Sequence, residues 1–211
     1  MQDIIQGTPE WHAIRCGKVT ASRVADVVAR TKNGWGASRA NYAAELIAER
    51  LTGTVADGFT NAAMQWGIDQ EATARQAYSA YIDDAVGEIG FVDHPTIEMS
   101  GASPDGLVGF DGLVEFKCPN SATHITTLTG AAIDRKYLLQ MQFQMACTGR
   151  KWCDFVSYDP RMPEHMRLFV RRVERDDKRI DFLETEIAGF LLEMAVKLAE
   201  LNRVYGEKEA A

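Results

Sequence analysis

The stretch SPDGLVGFDGLVEFKCP, residues 103–119, decides how this chain is read. Its Leu, Val and Phe residues are those of a core strand, yet Asp105, Glu115 and Lys117 stand among them. Core strands rarely carry carboxylates and a lysine unless something pairs with them. In a strand, side chains alternate, so Val114 and Phe116 face one side while Glu115 and Lys117 face the other. The apolar face anchors; the polar face presents a carboxylate and an ammonium two residues apart. Glycines 101, 106, 109 and 112 read as turns, which makes this region a meander of antiparallel strands. Asp105, in the turn before the strand, then comes within reach of Glu115 and Lys117.

Outward from this hairpin the periodicity changes. TASRVADVVAR predicts a short helix with Thr20 or Ser22 as its N-cap. KNGWGAS (32–38) reads as a loop, and the next helix starts near Ser38 and stops at Gly53. Residues 61–82 predict a longer helix that Gly67 weakens slightly. Strands follow from Val86, then a helix at about 133–148, strands over 151–160 and 165–175, and an amphipathic helix from its N-cap Asp176 to about Tyr205. Helices on both sides of a small central sheet predict a mixed α/β fold. No linker, repeat or low-complexity tract divides the chain, so 1–211 reads as a single domain.

Composition narrows the function class. Of 211 residues 46% are hydrophobic and 25% charged, as in a soluble globular protein, and no apolar run is long enough to span a bilayer. MQDIIQGTPEW lacks a signal pattern, and Cys16, Cys118, Cys147 and Cys153 form no CxxC pair, so reduced thiols and a cytoplasmic location are expected. The formal charge of −7 argues against indiscriminate nucleic-acid binding but leaves room for a local basic channel. Arg15, Lys18 and Arg23 cluster early, and Arg167 to Arg179 cluster late. His12, His94, His124 and His165 lack zinc spacing; GxSxG and GxxxxGK[ST] are absent, so neither a serine hydrolase nor an ATP-driven motor is indicated. A two-carboxylate glycosidase gives Lys117 no reason to share the face of Glu115.

Convergent carboxylates suit a hard divalent ion such as Mg²⁺, and a lysine beside it can orient water or offset charge on a phosphate. Glu71, in WGIDQE one turn after Trp66 and Gly67, is the third candidate acid. Alone, an Asp…Glu-X-Lys pattern is more often a surface ion pair than a site.

Asp-X9-Glu-X-Lys, with Pro104 before Asp105, resembles the motif of the PD-(D/E)XK nuclease superfamily. SPDGL, VEFKCP, WHAIRCGKVTAS (11–22), WGIDQE (66–71), YLLQMQ (137–142) and YDPRM (158–162) are similar, in order, to the lambda-exonuclease or YqaJ-type viral recombinase family. That resemblance implies a restriction-endonuclease-like central mixed sheet flanked by helices. It implies an alkaline-type, ATP-independent 5′-to-3′ deoxyribonuclease on linear double-stranded DNA, working by a two-metal mechanism. Asp105, Glu115, Glu71 and the Phe116 carbonyl would hold Mg²⁺, with Mn²⁺ as substitute, and Lys117 would position or activate the attacking water. Gln140 matches the family's active-site glutamine; Gln142 and Gln144 leave its register open. Arg15, Ser22 and Ser103 would bind the 5′-phosphate, and Met64 would wedge apart the terminal base pair. Trp11 reads as scaffold. The basic residue expected two positions before Met64 is Ala62 here.

The resemblance further implies a homotrimeric ring in a phage or prophage setting, DNA ends as substrate, and 3′ overhangs passed to a single-strand annealing protein. Membrane partners are not implied. Two rivals stay in view: a restriction-like endonuclease of the same superfamily, and a non-catalytic DNA-end-binding recombination module.

Overall fold

The computed structural model describes residues 4–55 and 61–206; residues 1–3 of the N-terminal stretch lie outside it. Thr8 caps α1 (Pro9–Arg15), accepting from the Trp11 N–H, with Pro9 where no N–H is needed. The sequence reading places no helix here, although Thr8-Pro9 is a start signal. After β1 (Val19–Thr20), the helix expected from TASRVADVVAR shrinks to a 3-10 turn at Ala21–Arg23 and a single turn, α2 (Val24–Val27). Valines are poor helix formers, and here Val24, Val27 and Val28 are drawn into the core. Thr20 makes no side-chain cap bond and Ser22 lies exposed within the turn, so neither acts as the expected N-cap.

The expected loop at 32–38 contains part of a hairpin, β2 (Arg30–Thr31) with β3 (Gly34–Trp35). Next, α3 (Ala37–Thr52) starts from Gly36, with the expected Ser38 in its first turn, and ends on Gly53, whose left-handed φ of 67° lets its N–H bond Glu49 O. Asn61 caps α4 (Ala62–Ile82) through the Met64 N–H.

The expected meander divides between two sheets. β4 (Val86–Gly87) belongs with later strands, whereas β5 (Val92–Asp93) and β6 (Ser100–Ala102) join β1. β6 runs antiparallel to β5 and parallel to β1. β7 (Gly106–Val108) and β8 (Gly112–Lys117) form the hairpin read from the sequence. Among its glycines, Gly109 occupies the left-handed region at φ 49°. Gly106 and Gly112 lie inside strands, and Gly101 inside β6, where close packing demands them: side chains there would collide with Val86 and Val114, with Trp152, and with Phe91 respectively.

Asn120 caps α5 (Ser121–Leu128), a helix the sequence reading does not place. Buried His124 ties it down: Nε2–H donates to Met166 O at 2.8 Å, leaving Nδ1 to accept from Ser157 Oγ at 2.7 Å. α6 (Arg135–Thr148), β9 (Trp152–Tyr158), β10 (Leu168–Glu174) and α7 (Asp177–Tyr205), with Asp176 as N-cap, agree closely with expectation.

The central sheet has the order β10-β9-β8-β7-β4, with β8 and β9 parallel and the other neighbours antiparallel. It is therefore mixed, and β8 lies at its middle. α5 and α6 make the crossover that a parallel β8–β9 pair requires. Leu113 joins the larger core with Phe155, Phe143 and the α7 residues Leu183, Ile187 and Phe190. Val114 and Phe116 join a smaller core with Ala74 and Tyr78 of α4 and Val156 of β9. The alternation holds, but both faces of β8 are covered, leaving Glu115 only 1% exposed. Among the described residues no helix is long and apolar enough to cross a membrane.

Candidate active site

The register Gly106↔Val114, continued by one residue, sets Asp105 opposite Glu115. The Phe116 N–H donates to Asp105 Oδ2 at 2.7 Å, so the strand backbone itself orients this carboxylate. Buried Glu115 is surrounded by donors. Lys117 Nζ lies 2.5 Å and Gln140 Nε2 2.6 Å from its Oε1, while Gln144 Nε2 lies 2.6 Å from its Oε2. Gln140 and Gln144 are four residues apart on α6 and so share a face. Gln142 faces away: it donates to Glu174 O and accepts from the Asp176 N–H, both at 2.8 Å, which anchors the start of α7. The glutamine register left open by the sequence is thus divided, two side chains on Glu115 and one on the frame.

The electrostatics are unbalanced toward negative charge. Burial, then Glu115, push the Asp105 carboxyl well above the usual range; nearby Glu71 adds to this and Lys117 opposes it. Burial works against the charge on Lys117, but Glu115 and Asp105 outweigh it and hold its pKa above the ordinary lysine value. Glu71 itself pairs with Arg75 at 3.1 Å, and it does not line the cavity that holds the other acids. Among the described residues no three His, Cys, Asp or Glu groups close into a metal-sized cluster. Two carboxylates held together despite their repulsion are nevertheless the donor set a hard divalent cation fits.

Asp105, Glu115, Lys117 and Gln140 line one cavity of about 180 Å³ together with Arg15, Ser22 and Ser103. α1 supplies Arg15, whose guanidinium lies 3.6 Å over the Trp11 ring. Its Nε is buried with no hydrogen-bond partner, and burial lowers its pKa. Trp11 Nε1–H donates to Ser103 Oγ at 2.9 Å, which leaves the Ser103 hydroxyl proton available to another acceptor. Ser22 Oγ lies 3.3 Å from Thr20 Oγ. A guanidinium with an unmatched N–H beside two hydroxyls is suited to a phosphate group.

Trp11 therefore does more than scaffold the core, since it touches both Arg15 and Ser103. The signal was present: Trp11 stands four residues before Arg15, one helical turn away. Gln6, which also lines the cavity and donates to Ile89 O and Pro104 O, left no sequence signal, because its partners are far along the chain. Met64 is 54% exposed on the first turn of α4 and does not line this cavity.

Residues 10–151 match the YqaJ-like viral recombinase domain. The chain belongs to this family. It is similar to the alkaline exonuclease LHK-Exo from Laribacter hongkongensis, with 55% identity and a TM-score of 0.86 over 93% of this chain and 97% of that one. LHK-Exo in complex with dAMP superposes with a TM-score of 0.87 at the same identity and coverage. A phage-related exonuclease from Haemophilus somnus 129PT shares the fold, with a TM-score of 0.67 at 16% identity over 87% of this chain and 96% of that one. The Escherichia coli (strain K12) protein ExoD is 32% identical over 77 residues, 36% of this chain and 87% of its own length. The chain is accordingly an enzyme of the exonuclease type.

Proposed function

We propose that this enzyme removes nucleotides from the 5′ end of linear double-stranded DNA, with a divalent cation and without ATP, leaving 3′ single-stranded overhangs. One observation carries the reading: the Arg15, Ser22 and Ser103 donors share a single cavity with Asp105, Glu115 and Lys117. A terminal phosphate held at one end of that cavity would place the next phosphodiester against the acids. The dAMP complex of LHK-Exo, a relative seen with a mononucleotide, supports the same reading.

In this mechanism Arg15 pairs with the 5′-phosphate while Ser22 and Ser103 add oriented hydrogen bonds. Trp11 keeps the guanidinium and the Ser103 hydroxyl in place. Gln140 and Gln144 hold both oxygens of Glu115, fixing its rotamer before substrate arrives. Asp105 and Glu115, with Glu71 and the Phe116 carbonyl, are the residues that would hold Mg²⁺ or Mn²⁺. That ion would supply Lewis acidity toward a phosphoryl oxygen and a lowered pKa for the attacking water. Lys117 orients the water and offsets the negative charge that grows as its oxygen adds to phosphorus. In this reading Met64, exposed at the start of α4, would meet the terminal base pair. A homotrimeric ring and a single-strand annealing partner complete the proposed setting.

The test is hydrolysis of linear duplex by Lys117→Ala and Glu115→Ala variants shown to be folded by circular dichroism. Loss of Mg²⁺-dependent hydrolysis in both is expected, by about a hundredfold or more. Undiminished activity in either variant refutes the site assignment.

A further inference from the structure

A second cavity, about 300 Å³, begins one residue past Lys117 and shares no residue with the first. Ala62, Ala63 and Trp66 of α4 form one wall; Cys118 and Pro119 form another, and Arg161 closes it. The guanidinium of Arg161 lies 4.4 Å from the centroid of the Trp66 ring. Asp159 fixes that guanidinium through bonds of 2.7 and 3.1 Å, and Pro119 O accepts a further bond at 3.0 Å. The charge of Arg161 is therefore already matched, and what it offers the cavity is a flat, anchored surface. Trp66 Nε1–H is buried and has no hydrogen-bond partner. An unmatched buried donor is costly, and a ligand acceptor is one of the few things that would repay it.

These features describe a site for a flat, aromatic ring bearing hydrogen-bond acceptors on its edge. The walls are mainly apolar, the platform is an indole stacked with a guanidinium, and the volume is at the small end for ligand pockets, about 300–1,000 Å³. A phosphate would find little here, since the cation is paired and the lining apolar. The position also matters. Trp66 precedes Glu71 by five residues, about 7.5 Å along the helix axis, and Cys118 directly follows Lys117.

We infer that this cavity receives an unstacked nucleobase of the strand being degraded, on the 3′ side of the scissile phosphodiester. The inference rests on the proposed exonuclease function: a strand whose 5′-phosphate sits at Arg15 must leave the acid centre away from that pocket, past Lys117. Base–aromatic stacking tolerates every base, as an enzyme that degrades any sequence requires.

The test is equilibrium binding, read by anisotropy of a fluorescein at the far end of a 5′-phosphorylated linear duplex, with Ca²⁺ in place of Mg²⁺. An abasic residue is placed in turn at each of the first four nucleotides of the 5′ strand. In the wild type, one of these positions should weaken binding about five- to 150-fold, the range of a single base–aromatic stack. In Trp66→Ala that penalty should fall below about twofold, whereas Trp66→Phe should keep most of it. If thermal melting shows Trp66→Ala to be unfolded, Ala63→Leu carries the same comparison, filling the cavity from an exposed helical position. Equal penalties in wild type and variant, or no penalty at any position in the wild type, would overturn the inference. Failure of the exonuclease reading would look different: the wild type would release no nucleotides from linear duplex in Mg²⁺, whatever the binding data show.

Discussion

Replacing Asp105 with asparagine should make the protein more stable while abolishing hydrolysis. An asparagine keeps an amide oxygen for the Phe116 N–H, bonded now at 2.7 Å, so the substitution removes charge and little else. Burial and Glu115 push the pKa of this carboxyl well up, which means the fold holds the ionised form at a cost relative to the unfolded chain. The sign follows directly. Below about pH 4 the carboxyl is protonated in both states and the cost is absent. As pH rises the unfolded chain ionises first, and the cost is complete once pH exceeds the raised folded-state pKa. Removing it should return about 1–2 kcal/mol near neutral pH, within the range of a single stabilising substitution. For a chain of this size that is a rise in Tm of about 2–8 °C. Differential scanning fluorimetry in EDTA at about pH 7.5 and about pH 4 reads both limits. Mg²⁺ should narrow the difference by binding the wild type alone. An asparagine variant that melts below the wild type at neutral pH would refute the reasoning, as would an equal gain at both pH values.

The glutamines of α6 should separate by function. Gln142→Leu strands Glu174 O and the Asp176 N–H, costing about 2–3 kcal/mol, yet kcat per folded molecule should stay within about twofold in a single-turnover assay. Gln140→Ala should do the reverse, lowering kcat about tenfold or more with little change in Tm. At the other end of the cavity, the wild type should digest 5′-phosphorylated ends about tenfold faster than 5′-hydroxyl ends, and Arg15→Ala should erase the preference. Equal rates on the two ends in the wild type would remove that role from Arg15.

The local rules that read well from the sequence were those with a short range. Alternation in VEFKC assigned Val114 and Phe116 to one core and Glu115 and Lys117 to the other face, and caps at Asp176 and Gly53 placed helix ends correctly. Four features escaped because tertiary contacts decide them. Gly106 and Gly112 look like turn residues, but it is the side chains of Val86, Val114 and Trp152 that exclude anything larger. The single meander became two sheets because β6 found a partner in β1, some eighty residues earlier in the chain. The glutamine register of α6 stays open in the sequence, whereas in the fold α6 lends Gln144 to Glu115 as well as Gln140. Gln6 could not have been found at all, since nothing near it in the sequence marks its place beside the cavity.

A time course on linear duplex DNA labelled at each end, with Mg²⁺ and no ATP, tests the central claim most directly. Labels at the two 5′ ends should appear first as mononucleotides while 3′ labels stay on strands that shorten progressively, and covalently closed circles should remain intact under the same conditions. Rapid cutting of closed circles, release from 3′ ends first, or a requirement for ATP would contradict the account.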